Sequence, residues 1–142
     1  MQRRIRLFPK STEVRSVAGV ERLAIGGCDL TELAEAYGTP LYLYDQSALD
    51  AAVDEYRASL AAHYPGGGGI TYAGKALMNL AAARWAAGRG LWVDCTGAGE
   101  LYIAAKASVP RDQILVHGVN KSDADLQAAL TTAGTIVVDN LW

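Results

Sequence analysis

Four short β-prone runs recur at nearly constant spacing in the second half of the chain, and this repeat constrains the fold more than any other feature of the sequence. The starts of the runs lie 21, 23 and 21 residues apart, at Ile70, Leu91, Ile114 and Thr135. A glycine-containing turn and a stretch of helical composition follow each of the first three runs. One helix per strand at this spacing predicts an α/β fold with a parallel sheet or a (β/α) barrel.

The first half of the chain carries signals for two helices and one more strand. Residues 29–38 predict a helix that Asp29 caps and that ends at Gly38. Residues 41–44 predict a short strand, and Ser47 is placed to cap a second helix. The expected number of strands in the βα pattern is therefore about five.

The length of the chain limits how much of a barrel it can form. A complete eight-stranded (β/α) barrel needs about 250 residues, whereas this chain has 142. We therefore expect a partial (β/α)8 barrel of the TIM type, truncated after about five strands. Residues 4–18 mix charged and β-branched side chains and can supply one further strand. The predicted organisation is an N-terminal extension over residues 1–28, followed by the first part of a barrel over residues 29–142.

The composition excludes several classes of function. The chain is 51% hydrophobic and 20% charged, which suits one soluble domain with a buried core. Its net charge of -2 provides no basic surface for nucleic acid or for an anionic membrane. The basic residues Arg3, Arg4 and Arg6 precede no long apolar segment, so we expect neither a secretory signal nor a membrane anchor. These observations predict a cytoplasmic protein.

The cysteines and histidines are isolated in the sequence. Cys28 and Cys95 cannot form a disulfide framework and lack metal-ligand spacing, and His63 and His117 also stand alone. We expect both thiols to be reduced and at least partly buried, and we expect no metal site.

Lys75 lies at the carboxyl end of the first run, between a β-prone segment and a helical one. Parallel α/β folds place their chemistry at this edge of the sheet, so Lys75 is a candidate for a lysine that forms a Schiff base. An ordinary solvated lysine in a loop is the structural alternative, because most lysines are exposed. Asp94 and the loop that begins at His117 follow the next two strands and should lie on the same edge.

The order and spacing of these motifs resemble those of the fold-type III pyridoxal-phosphate-dependent decarboxylases. The resemblance covers nearly the whole chain from Phe8 onward. It implies an alanine racemase-like barrel of which this chain holds the N-terminal part. The motifs that carry it are GGCDL at residues 26–30, YGTPLYLYD at residues 37–45, YAGKA at residues 72–76, DCTGAGEL at residues 94–101 and HGVNKS at residues 117–122.

The resemblance implies that Lys75 binds pyridoxal 5'-phosphate covalently. Burial of an amine disfavours its charged form, which would make a partly desolvated Lys75 nucleophilic. An amino-acid substrate would displace Lys75 from the cofactor, and its carboxylate would leave as carbon dioxide while the pyridine ring takes up the electrons.

The resemblance also places Asp94 close to the bound cofactor, where a carboxylate favours the protonated imine and orients Lys75. The alternative role of Asp94 is structural, as an acceptor of hydrogen bonds from the turn that contains Gly97 and Gly99. Both roles remain open at this point. Glu100 also matches the family, but an acidic residue is favourable at a helix start in any case, so we expect a structural role for it.

The motif at residues 117–122 is characteristic of the diaminopimelate branch of the family. The resemblance therefore implies decarboxylation of meso-2,6-diaminopimelate to L-lysine, with Val119 in place of the more common asparagine. Two alternatives remain. One is a decarboxylase of ornithine, arginine or carboxynorspermidine with the same fold, and the other is a non-catalytic protein that only binds the cofactor.

Several parts of the family's machinery are expected beyond Trp142. They are the phosphate-binding loop, the histidine that stacks on the cofactor, the acidic partner of the pyridine nitrogen, the C-terminal β domain and a cysteine that reaches the neighbouring subunit. Without them we expect this chain to be inactive alone. For full-length members the resemblance implies a homodimer that acts on a small-molecule amino-acid substrate.

Overall fold

The computed structural model describes residues 5–139 of the chain. The chain divides into two compact units, Met1–Pro65 and Gly66–Trp142. The domain boundary expected between residues 28 and 29 is a different division, and it stays a prediction. Within the described residues, every helix is too short or too polar to cross a membrane.

The first unit contains a three-stranded antiparallel sheet in the order β1-β2-β3. These strands span Glu13–Val17, Val20–Ile25 and Cys28–Asp29. Two-residue turns join them, because Val17 pairs with Val20 and Ile25 pairs with Cys28. The residues of both turns have positive φ angles, which match the twist of tight hairpins. The strand expected within residues 4–18 corresponds to β1, whereas the sequence pattern does not predict β2 and β3.

Helix α1, Leu30–Tyr37, confirms the first predicted helix. The Asp29 carboxylate accepts hydrogen bonds from the backbone N–H groups of Thr31 and Glu32, at 2.7 and 3.2 Å. These bonds satisfy amides that a helix start leaves without partners. Gly38 follows the helix with a φ angle of 81°, a conformation that glycine adopts without strain.

Helix α2, Gln46–His63, is capped by Asp45 and not by Ser47, so the predicted cap is wrong. The Asp45 carboxylate accepts hydrogen bonds from the Ser47 backbone N–H at 3.0 Å and from the Ser47 hydroxyl at 2.6 Å. The Ser11 hydroxyl adds a third at 2.6 Å. The hydrogen bonds from Ser11 and Ser47 hold the pKa of the Asp45 carboxyl below its usual value. A segment distant in sequence therefore helps to hold the cap.

Residues 41–44 do not form the predicted strand. Their side chains are all exposed, and within the described residues no strand pairs with them. A β-prone segment becomes a strand only where a neighbour takes up its backbone hydrogen bonds. The five strands expected in the βα pattern are accordingly four in the part of the chain that the structure describes.

The second unit contains a four-stranded parallel sheet in the order β4-β5-β6-β7, with one helix in each crossover. Its strands span Thr71–Ala73, Trp92–Cys95, Ile114–Val116 and Thr135–Ile136. The helices α3, α4 and α5 span Leu80–Gly88, Ala98–Lys106 and Asp123–Thr132, and two 3₁₀ turns span Gly74–Ala76 and Arg111–Gln113. The strands begin within about one residue of the predicted positions, which confirms the βα repeat.

The core of the second unit lies on one face of this sheet. The strand residues that are at most 2% exposed are Val93, Cys95, Ile114 and Val116. Trp92 alternates with them along β5 and is 44% exposed, so it points to the opposite face, as does Asp94 two residues later. Cys95 is buried as expected, but Cys28 is exposed because it lies on the short edge strand β3.

Ser122 forms a capping box at the start of α5. Its hydroxyl accepts a hydrogen bond from the Asp125 N–H at 3.2 Å, and the Asp125 carboxylate accepts one from the Ser122 N–H at 3.1 Å. We expect Ser122→Ala to lower the free energy of unfolding by about 1 kcal/mol, because the first turn loses an acceptor. Ser122→Thr keeps a hydroxyl and should lose much less. Denaturant unfolding measures both variants, and equal losses would contradict a capping role.

Candidate cofactor site at the carboxyl edge of the parallel sheet

Lys75 lies in the 3₁₀ turn that directly follows β4. Its side chain is exposed, but the backbone before it is closely packed. A Cβ atom on the buried Gly74 would lie 2.6 Å from the carbonyl oxygen of Asp94, so only glycine lets the turn approach β5 this closely. The Tyr72 hydroxyl donates a hydrogen bond of 2.7 Å to the carbonyl oxygen of Leu77 and so braces the end of the turn. The chain thus presents Lys75 at the carboxyl edge of the sheet.

Asp94 is the third residue of β5, next to the turn that carries Lys75. Burial raises the pKa of the Asp94 carboxyl above its usual value, and the charge of Glu100 acts in the same direction. The charge of Lys75 opposes this shift, as does that of His117 when its imidazole is protonated. The Oδ1 atom of Asp94 is buried and has no hydrogen-bond partner among residues 5–139. The parallel register of β4, β5 and β6 places Lys75, Asp94 and His117 at the same edge of the sheet.

The turn after β5 obtains its hydrogen bonds from residues other than Asp94. The backbone N–H and the hydroxyl of Thr96 both donate to Glu100 Oε2, at 2.5 and 2.9 Å. The backbone N–H of Ala98 donates to Asp125 Oδ1 at 2.8 Å. Glu100 thus has the structural contacts expected of it, and the geometry does not support the structural alternative for Asp94.

A second group of charged side chains lies at the same edge, beyond β6 and β7. His117 directly follows β6, and its Nε2 atom is 3.8 Å from Asp139 Oδ1. The Lys121 ammonium group contacts the other oxygen of that carboxylate, Asp139 Oδ2, at 2.8 Å. It also donates a hydrogen bond of 2.6 Å to the carbonyl oxygen of Gly118.

The sequence interpretation did not assign roles to Lys121 or Asp139. Asp139 follows β7 by three residues, so its position after a strand resembles those of Lys75 and His117. This position in the sequence is enough to predict that Asp139 lies at the same edge as Lys75, because the carboxyl ends of parallel strands share one edge. The pairing with Lys121 depends on how the two loops pack, which no local pattern in the sequence shows.

A family profile described as "Pyridoxal-dependent decarboxylase, pyridoxal binding domain" matches residues 49–141. This match covers more than half of the chain, so the chain belongs to the pyridoxal-dependent decarboxylase family. The cofactor of this family is pyridoxal phosphate.

Proteins similar to this chain include diaminopimelate decarboxylases and a lysine/ornithine decarboxylase. Diaminopimelate decarboxylase of Synechocystis sp. is 40% identical over 126 residues, which are 83% of this chain and 27% of that protein. The crystal structure of diaminopimelate decarboxylase from M. jannaschii superimposes with a TM-score of 0.79 and 30% identity, over 92% of this chain and 30% of that chain. The lysine/ornithine decarboxylase of Vibrio vulnificus, solved with putrescine, gives a TM-score of 0.64 and 31% identity, over 79% of this chain and 30% of that chain.

These similarities confirm the predicted fold class, an α/β chain that forms part of a (β/α)8 barrel. The chain spans less than a third of the length of each of these relatives.

The close contact of Gly74 with β5 predicts a marked sensitivity to a single methyl group. We expect Gly74→Ala to lower the free energy of unfolding by about 1–3 kcal/mol, because the added Cβ would clash with a backbone atom that cannot move freely. Gly99→Ala is the matched control, since a Cβ on Gly99 in α4 meets nothing within 4 Å. The control should be neutral or slightly stabilising. Urea denaturation measures both, and similar losses in the two variants would contradict the packing argument.

The raised pKa of Asp94 predicts a pH-dependent effect on stability. The folded chain binds the Asp94 proton more tightly than the unfolded chain, so the stabilisation from the neutral carboxyl is lost as pH rises from the usual 3.8 through the raised folded pKa. At pH 7 we expect Asp94→Asn to raise the melting temperature, on the order of a few degrees. The difference from the parent should shrink below the usual pKa, where both side chains are neutral. Thermal melts at the two pH values test this, and a stabilisation that persists unchanged in acid would contradict it.

Proposed function

We propose that this chain is the cofactor-attaching part of a pyridoxal-phosphate-dependent decarboxylase that converts meso-2,6-diaminopimelate to L-lysine. The observation that carries the proposal is the placement of Lys75 and Asp94 at one edge of the sheet, in a chain of the pyridoxal-dependent decarboxylase family. Lys75 is proposed as the catalytic and cofactor-binding lysine, and Asp94 as a second cofactor-binding residue.

The side chains present at the site fit this cofactor. The exposed Lys75 amine is open to an incoming aldehyde, although the desolvation expected from the sequence is not supplied by the described residues. Asp94 Oδ1 is buried and has no partner in the part of the chain that the structure describes, so it can accept a hydrogen bond from a donor at the site. These are the two features that covalent attachment and its orientation require.

The reaction divides between the cofactor and the protein. When bound, pyridoxal phosphate supplies the electron sink for the pair left by the departing carboxylate. Lys75 would hold the cofactor through its Nζ atom. The Asp94 carboxylate would accept a hydrogen bond at that atom, and so would hold a proton there and orient it. Burial raises the pKa of the Asp94 carboxyl, and the charge of Lys75 opposes this shift and so favours the ionised carboxylate.

The substrate assignment is supported by the names of the similar proteins. Diaminopimelate decarboxylases show 40% sequence identity, and the one from M. jannaschii gives a TM-score of 0.79 against 0.64 for the lysine/ornithine enzyme. The diaminopimelate decarboxylase of Helicobacter pylori gives 0.61, so the sequence identity supports the assignment more than the structural similarity does. The likeness to the lysine/ornithine enzyme keeps a decarboxylase of ornithine or another basic amino acid as the second candidate. A small amino acid is the substrate class in both cases.

Three further parts of the proposal concern the whole protein. We infer a barrel that begins at residue 29 after an extension over residues 1–28, a homodimer and a cytoplasmic location. The resemblance of the motifs to the family supports the first two, and the sequence composition supports the third.

The first test is covalent labelling of the 142-residue chain with pyridoxal phosphate, followed by borohydride reduction and peptide mapping. The chain has four lysines, at positions 10, 75, 106 and 121, so the labelled site is read directly. We expect a single label on Lys75 that Lys75→Ala abolishes. Lys106→Ala removes another lysine, one that lies over the Tyr102 ring in α4, and should leave the label unchanged. Label spread equally over several lysines would contradict the proposed attachment site.

The second test measures carbon dioxide release by the whole protein of which this chain is a part. We expect release from meso-2,6-diaminopimelate, with a loss of about 10²–10⁴-fold in Lys75→Ala because the catalytic amine is gone. Faster release from ornithine, arginine, lysine or carboxynorspermidine would favour the second candidate. Cofactor attachment without turnover of any of these would indicate a non-catalytic protein.

A further inference from the structure

We propose that Lys121 is a positioning residue of the candidate site. Its ammonium group joins the loop after β6 to the segment after β7 and, through Asp139, restrains the imidazole of His117 at the carboxyl edge of the sheet. This inference rests on the proposed function, because the geometry it maintains is that of the site around Lys75 and Asp94.

Lys121 differs from an ordinary surface lysine in burial and in its fixed partners. Its side chain is only 10% exposed. It helps to line a cavity of about 350 Å³ together with Leu126 and Ile136. The ammonium group donates to the Gly118 carbonyl at 2.6 Å and to Asp139 Oδ2 at 2.8 Å. A largely buried ammonium group with two close acceptors is strongly held, since removing Asp139 would take away its counter-charge.

Asp139 transmits this restraint to His117. The two oxygens of one planar carboxylate face different groups, because Oδ2 contacts Lys121 and Oδ1 lies 3.8 Å from His117 Nε2. The hydrogen bond from Lys121 holds the pKa of the Asp139 carboxyl below its usual value, so this group is ionised at neutral pH. The imidazole of His117 is 57% exposed, so the fixed negative charge of Asp139 restrains a side chain that solvent leaves free to rotate.

The loop that carries His117 packs against the turn that follows Asp94. The backbone of His117 and, when the imidazole is protonated, its charge lower the pKa of the Asp94 carboxyl. A Cβ on Gly118 would lie 3.0 Å from the carbonyl oxygen of Thr96, so the loop after β6 packs directly on the turn after β5. The loop that Lys121 holds through the Gly118 carbonyl therefore packs against the turn that follows Asp94.

The test follows the imidazole signals of the 142-residue chain by NMR after ¹³C labelling of histidine. The chain has only two histidines, so His63 serves as an internal reference. At a fixed pH of 7 we expect Lys121→Met to move the His117 signal by more than its linewidth and to leave the His63 signal in place. Lys106→Met makes the same change of charge at a distant exposed lysine and should move neither signal. Lys121→Arg retains the charge and should restore much of the parental position of the His117 signal.

A second variant tests the same role if Lys121→Met does not fold. Asp139→Asn removes the charge that faces His117 while Lys121 keeps its bond to Gly118, and it should also move the His117 signal. A folded Lys121→Met or Asp139→Asn chain with the His117 signal at the parental position would overturn the positioning role.

Labelling with pyridoxal phosphate separates this inference from the proposed function. In Lys121→Met we expect slower labelling of Lys75 together with the moved His117 signal. Specific labelling of Lys75 in the parent with an unmoved His117 signal in the folded variant would overturn only the role of Lys121. Unspecific labelling of the parent would overturn the proposed function, whatever the NMR signals show. It would also overturn any role of Lys121 in that function.

Discussion

The parallel register of β4 to β7 is the constraint on which the rest of the site depends. Hydrogen bonding across the sheet places Ala73, Asp94, Leu115 and Thr135 in one row. Because the strands are parallel, the residues that follow this row all emerge at one edge. A shift of a single strand by one residue would turn Asp94 towards the helices and separate it from Lys75.

Two kinds of contact keep the loops at this edge in place. Gly74 and Gly118 let two loops approach the backbone of the neighbouring strand or turn more closely than any side chain would allow. Glu100, Asp125 and Lys121 then satisfy the backbone groups of the turns. Among residues 5–139, Asp94 Oδ1 is buried and has no hydrogen-bond partner, which costs stability. A destabilising carboxylate at a candidate site agrees with the general observation that functional residues often lower the stability of the fold.

The repeat of strands and the capping of α1 were predictable because they depend on neighbours in the sequence. Asp29, the hydrophobic face behind it and Gly38 act within one helix, so their pattern is sufficient. The failed predictions depend on distant residues. Residues 41–44 have strand-forming side chains but no pairing partner in the described chain. Helix α2 is capped by Asp45 and not by Ser47, and Asp45 accepts a hydrogen bond from Ser11, which lies 34 positions away in the sequence.

The sequence alone determined the order of βα units and the identity of the polar residues that end them, because hydrophobic period and turn chemistry are local properties. It also identified Lys75 and Asp94 as the candidates for cofactor chemistry. Only the tertiary structure decided that Glu100 and Asp125, and not Asp94, accept the hydrogen bonds from the backbone of the turn after β5. It also decided that Lys121, Asp139 and His117 form one connected group. Those relations join residues up to 27 positions apart, and they arise from strand register and loop packing, which no local segment encodes.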